Sequence, residues 1–346
     1  MLRRVLAAGV LLSVALATPL AWRGVLALWG PHDADAPPSY LPALESHRPR
    51  RPFNAGAVDY VRETEPGYVT IGDSMAGRID PEVLAELAGV PVVPLPLNAT
   101  GPAYWYLVLK NWVAASGAHP RLVIIFFRDT LLTDVTFRLD GPYRPPLDEA
   151  AHEREPELND VVAARTSGPW HRVHEAVDAV YGVNRAREWI APRLTAWPAH
   201  VVVDGAHAQA RLLDRVNAAF TLDKLRPIAQ ADLEAADTRE ADFASHVQAS
   251  VLPLMLNVAR EHGLRLCFVR VLRRPLDGQP PPESPELQRY VADLRAYVAR
   301  EGADYIDDRD DPELVKLPYG DGDHIAREAR TPYTQRFWTK IQRLTP

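Results

Sequence analysis

The chain has 346 residues, 47% of them hydrophobic and 24% charged, with a formal net charge of −6. That composition excludes a low-complexity or disordered protein and supplies enough apolar side chain for one large core or two modest ones. Without a basic excess there is no electrostatic footprint for nucleic acid, which is therefore not an expected partner.

Arg3 and Arg4 precede an uncharged apolar run from Val5 to Trp22, and Arg23 interrupts before the apolar residues resume as far as Trp29. Residues 1–29 read as a membrane anchor or a signal peptide. The basic pair ahead of the run, and Asp33 and Asp35 behind it, put the N-terminus in the cytoplasm and the body outside. Ala15-Leu16-Ala17 resembles a cleavage site, but the apolar stretch continues past it, which favours an uncleaved anchor. Residues 30–57 are rich in proline, charge and histidine and lack apolar periodicity, the pattern of an extended tether. The single cysteine, Cys267, cannot form an intrachain disulfide and reads as an inert core residue; an exported chain of this kind fits a bacterial periplasm.

From residue 58 to the C-terminus, strand-like and helix-like segments alternate. Tyr68 to Ile71 form a strand, and Asp80-Pro81-Glu82 starts a helix, with Asp80 as its cap, that Gly89 stops. A strand around Val92, a helix over 103–115 and a strand over 121–127 follow. Between 140 and 233 the rhythm breaks into a proline-rich stretch and charged segments carrying Trp170, Trp189 and Trp197. This reads as a largely helical insertion, its tryptophans serving as core or lid packing, with carbohydrate stacking as the alternative. Beyond it come a helix over 243–261, a strand over 264–271, a helix over 285–300, a short strand over 303–306 and a final helix over 331–344. Five strands in this order predict a flavodoxin-like three-layer α/β/α sandwich on a mainly parallel sheet, with ligands at the carboxyl ends of the strands.

The first strand runs into Gly72-Asp73-Ser74, and near the other end Asp321-Gly322-Asp323-His324 places an acid three residues before a histidine. A serine is a weak nucleophile until a base takes its proton, and the base needs an acceptor to hold its tautomer. Ser74, His324 and Asp321 fit those roles as a catalytic triad. The pattern resembles the SGNH (GDS-type) hydrolase and acyltransferase superfamily. In that family the second motif is a glycine in the turn after the second strand, which puts Gly101, after Leu97-Asn98-Ala99-Thr100, in the oxyanion hole. The third motif is Gly-x-Asn-Asp after the third strand, and here Arg128 stands where the family has asparagine. Arg128 suits an oxyanion or a substrate carboxylate; the alternative is an ion pair with Asp129 or Asp134. Asp73, Asn98, Arg78 and Arg270 are further binding candidates, set against capping for Asp73 and ion-pair or surface roles for the two arginines.

Several rival patterns fit less well. The α/β-hydrolase elbow prefers glycine where Ala76 sits and places its serine after several strands. The acidic run Asp307 to Asp311 lacks the ligand spacing of a calcium loop and reads as a solvated loop. His171 and His174 have no third ligand at metal-site spacing, so neither a metal nor a cofactor is expected. With an N-terminal anchor and altered motifs, the chain looks most like the O-acetyltransferases of bacterial exopolysaccharides and wall polymers. That resemblance implies a polysaccharide acceptor, an acyl donor and a membrane-bound O-acyltransferase as partners. An esterase removing acetyl groups with the same residues, and a catalytically silent assembly subunit, are the alternatives.

Overall fold

The protein is described by a computed structural model over residues 40–44, 50–139, 143–152, 154–166, 241–320 and 322–344. The anchor, most of the tether, the three tryptophans of the insertion, His171, His174 and Asp321 lie outside the described residues. No helix among the described residues is long and apolar enough to cross a membrane.

The chain divides into two compact units, Met1–Arg50 with Thr166–Leu225, and Arg51–Arg165 with Arg226–Pro346. In the first, the described residues include a turn closed by Leu44 N–H on the Leu41 carbonyl, and the Arg50 guanidinium 4.7 Å from the Tyr40 ring. The second contains a five-stranded sheet: β1 (Tyr68–Gly72), β2 (Val92–Pro96), β3 (Leu122–Phe127), β4 (Leu266–Arg270) and β5 (Asp304–Asp307). Its order is β2-β1-β3-β4-β5 and every pairing is parallel, the flavodoxin-like α/β arrangement expected from the alternation of elements.

Every residue of β3 is buried, because helices cover both faces of a parallel sheet and leave no solvent side to alternate with. Leu122, Ile124 and Phe126 share one core with α2 (Pro81–Ala88) and the C-terminal α8 (Arg330–Ile341), through Leu84, Phe337 and Ile341. Val123, Ile125 and Phe127 point to the opposite face by the two-residue period of a strand. β2 tolerates Pro94 and Pro96 because it is an edge strand, where a missing N–H costs no ladder bond.

The helices follow their caps. In α2, Asp80 accepts from the N–H groups of Glu82 and Val83, Pro81 sits in the first turn, and Gly89 ends the helix in the left-handed conformation. In α7 (Pro285–Arg300), the Ser284 hydroxyl oxygen accepts from Leu287 N–H. Three features depart from the sequence reading. A helix that the sequence reading did not place, α1 (Ala55–Thr64), begins inside the expected tether and starts on the Asn54 side chain. The segment expected as one helix over 103–115 is α3 (Pro102–Leu107) running into a π-helical stretch, Val108–Ala114. The helix expected over 243–261 breaks near Ser250, whose hydroxyl donates to Val247 O and accepts from Leu252 N–H, so that only α6 (Leu252–Glu261) is long. The described part of the insertion forms α4 (Arg144–Ala150) and α5 (Pro156–Thr166).

Candidate functional site

β1 delivers Ser74 to the carboxyl edge of the sheet. Gly72, at φ 156°, has no room for a side chain: a Cβ there would lie 3.0 Å from both the Phe126 carbonyl oxygen and the Ala76 Cβ. The chain then turns into a single 3-10 turn, Ser74–Arg78, capped by Asp73, whose Oδ1 accepts from Met75 N–H at 2.9 Å. Ser74 is left half-buried at the strand end. Because β2 and β3 flank β1 on its two sides, Ser74 lies at the point where successive connections diverge to opposite faces, the usual ligand crevice of an open parallel sheet.

His324 reaches the same edge from the far end of the chain. A narrow loop carries it, closed by Gly320 N–H on the His324 carbonyl at 2.8 Å, by Ala326 N–H on the Pro318 carbonyl at 2.8 Å and by the Tyr319–Ile325 bridge. The result is a 2.8 Å separation between His324 Nε2 and Ser74 Oγ across 250 residues of sequence. His324 is exposed, so the pair opens directly to solvent. Asp321 belongs to this loop but lies outside the described residues.

Gly101 occupies the loop after β2, beside the serine turn, since Leu97 N–H bonds the Gly72 carbonyl at 3.1 Å. A Cβ on Gly101 would run into the Phe137 carbonyl oxygen, which explains the residue by close approach. Asn98 is exposed on that loop. Asp73 serves as the turn's cap, the capping alternative.

The arginines fall differently from expectation. Arg128 is paired with neither Asp129 nor Asp134; its Nη1 donates to Asp323 Oδ2 at 2.7 Å. Burial would lower the Arg128 pKa, but the Asp323 carboxylate outweighs it and holds the guanidinium firmly charged. Arg78 is enclosed. Its guanidinium donates to the carbonyls of Met75, Leu272 and Asp323, pairs with Asp308 at 3.3 Å and lies over the Tyr333 ring. Arg270 is likewise buried, between Asp307 at 2.8 Å and Glu283 at 2.7 Å. Both are structural ion pairs, which corrects their candidacy for ligand binding. The acidic run is corrected as well: Asp307, Asp308 and Asp311 are buried acceptors for Arg270, Arg78, Arg336 and Lys340, not a solvated loop.

Arg138 escaped the sequence reading. Its Nη1 lies 3.5 Å from the Thr100 carbonyl oxygen and 3.8 Å from Asp73 Oδ2, so one guanidinium bridges the residues preceding Gly101 and Ser74. Its cation rests on the Phe137 and Tyr143 rings. Ala99, Asp129 and Arg138 all hold left-handed backbone, at φ 61°, 45° and 59°, in the loops after β2 and β3. Such strain in residues bearing a Cβ costs of order 1 kcal/mol each and persists where neighbouring structure enforces it. Nothing in the sequence marks Ala99 or Arg138, because neither is a glycine, asparagine or aspartate. Among the described residues no three histidine, cysteine or acidic side chains cluster as metal ligands.

No protein-family model matches the chain, and no curated protein matches it in sequence. Among solved structures, a GDSL-like lipase from Bacteroides thetaiotaomicron matches at 11% identity, over 84% of this chain and 98% of its own, with a TM-score of 0.37. An overlap that loose decides nothing about the chemistry, for which the sheet order and the side-chain distances speak.

Proposed function

We propose that the chain is a serine acyl-transfer enzyme of the SGNH (GDS-type) kind, moving an acyl group, acetyl by the resemblance, onto a hydroxyl of a bacterial envelope or extracellular polysaccharide. The observation that carries the reading is the 2.8 Å approach of His324 Nε2 to Ser74 Oγ at the carboxyl edge of the parallel sheet. A nucleophile and base within hydrogen-bond reach are the geometric minimum for such chemistry.

In the first step Nε2 takes the hydroxyl proton as Oγ bonds the acyl carbonyl carbon; the donor's oxygen or sulfur departs with that proton. In the second, Nε2 takes the proton of a sugar hydroxyl, whose oxygen bonds the acyl carbon while Oγ leaves and is reprotonated. The Ser74 and Gly101 N–H groups would hold the oxyanion, and Asp321 would fix the imidazole tautomer. The sequence of residues 1–29 supports a body held outside the cytoplasmic membrane, where a membrane-bound O-acyltransferase would supply the donor.

The test is labelling by a serine-directed phosphonate, together with incubation of acetyl donor and oligosaccharide. Wild type is expected to be labelled at Ser74 and to acetylate the glycan; Ser74→Ala is expected to lose labelling and at least ~10³-fold in rate. Free acetate with no acetylated glycan would make the protein an esterase. An unlabelled wild type would remove the enzyme reading.

A further inference from the structure

Asp323, the residue before His324, is held by hydrogen bonds from three directions, with the buried Arg273 Nε a further ion-pair partner 3.8 Å from Oδ2. Its Oδ2 accepts from Arg128 Nη1 at 2.7 Å, its Oδ1 accepts from Arg274 N–H at 3.0 Å, and its carbonyl oxygen accepts from Arg78 Nη2 at 3.3 Å. These partners come from the segments after β3, β4 and β1, so a single residue ties the histidine loop to three strand ends. Arg78 is anchored in turn: it is 3% exposed, and its Nε donates to the carbonyl of Met75, the residue after Ser74. Nucleophile turn and histidine loop are therefore gripped by one guanidinium, while Arg128 holds the Asp323 carboxylate.

We propose that Asp323, clamped by Arg128, Arg274 N–H and Arg78, is the positioning residue that sets His324 against Ser74, and that Arg128 acts through Asp323. The proposal rests on the acyl-transfer reading above. His324 is exposed, and the loop that carries it is fixed to the strand ends through its neighbour Asp323. A misplacement of about 1 Å at such a site costs on the order of 10²-fold in rate. Arg128 answers the requirement because its planar fork, unlike an amide, carries the charge that matches a carboxylate.

The experiment measures the rate constant and saturation constant for phosphonate labelling of Ser74 in the full chain, with the His324 ring nitrogens followed by 15N NMR. Asp323→Asn is expected to slow labelling by about 10- to 100-fold at saturating probe, leaving the saturation constant within about twofold. Arg128→Met should do the same, Arg128→Lys should recover much of the rate, and the double variant should be no slower than the slower single one, since both break one contact. The His324 ring signals should shift or broaden in Asp323→Asn and Arg128→Met and stay in place in Asp311→Asn. Should Asp323→Asn fail to fold, the partly exposed Arg128 pair of variants carries the test. Wild-type labelling with unmoved ring signals in either charge-removing variant overturns the clamp. So does slowing by Arg128→Met with none in Asp323→Asn, which would place Arg128 on the oxyanion itself. If wild type is not labelled at all, the acyl-transfer reading fails by itself, and the ring signals still decide the clamp.

Discussion

Gly101 faces the Phe137 carbonyl so closely that a methyl group has nowhere to go, and the residue after Phe137 is the strained Arg138 that reaches Asp73 and Thr100. Gly101→Ala must push that carbonyl, and with it the bridge between the two loops. The expected cost is about 1–3 kcal/mol of stability, read from urea unfolding, together with loss of phosphonate labelling at Ser74. Labelling at the wild-type rate would show that the loop yields without disturbing the serine. At this scale the sequence is informative where a residue type is forced by chemistry or space, as at Ser74, His324 and Gly101. It is silent where a role depends on a partner far along the chain. Arg128 could be placed after its strand, but nothing in its surroundings in sequence points to Asp323, 195 residues on.

Helices were legible where a cap and an apolar period coincide. α2 begins at Pro81 and α7 spans Pro285–Arg300 as read, because Asp80 and Ser284 supply acceptors for first-turn N–H groups that no earlier turn can satisfy. Asp80→Ala is expected to cost about 1 kcal/mol, measurable as a lowered unfolding midpoint with an unchanged denaturant slope. An unchanged midpoint would mean that the Asp80 N–H bond to Thr334 Oγ1 fixes this helix start without the cap. Boundaries set by packing were not legible. The π-helical stretch Val108–Ala114 is nearly all buried, and its apolar residues read equally well as a regular helix. The break at Ser250 comes from a side chain bonding its own backbone, which a periodicity of apolar residues does not register.

Across the whole molecule, the C-terminal helix is tied to the sheet by charge as well as by apolar packing. Arg78, Asp308 and Tyr333 form one buried cluster: Tyr333 Oη donates to Asp308 Oδ2 at 2.6 Å, and the Asp308 carboxylate is 0% exposed. Burial, then the Asp308 charge, pushes the Tyr333 hydroxyl pKa well up, so it stays a donor throughout the useful pH range. Arg78→Met would leave the buried Asp308 carboxylate with only the Tyr333 hydroxyl and Lys340 at 3.4 Å, at an expected cost of about 2–3 kcal/mol in chemical denaturation; a loss below 1 kcal/mol would show that Lys340 alone balances the charge. Asp311 makes the second tie, accepting from Arg336 at 2.7 Å with Lys340 at 3.3 Å. Burial would raise its pKa, but the Arg336 bond and the Lys340 charge hold it below the ordinary 3.8. The stabilisation is therefore full above pH 3.8 and is lost as pH falls through the lower folded value. Asp311→Asn should cost about 1 kcal/mol near neutrality, limited by the exposure of Arg336, and the gap from wild type should close as the pH drops below that range. A gap independent of pH would assign the effect to packing.

The sequence by itself determined the alternation of strands and helices, the parallel sheet that follows from it, and the chemical identity of the serine and histidine, because each is written in local periodicity or in residue type. Only the tertiary structure decided that Ser74 and His324 meet at 2.8 Å, that Arg78, Arg270 and the acidic run are internal ion pairs, and that Arg128 grips Asp323. A charged side chain satisfies whichever opposite charge the fold brings within reach, and that choice is made by distance in space, on which spacing along the chain puts almost no constraint.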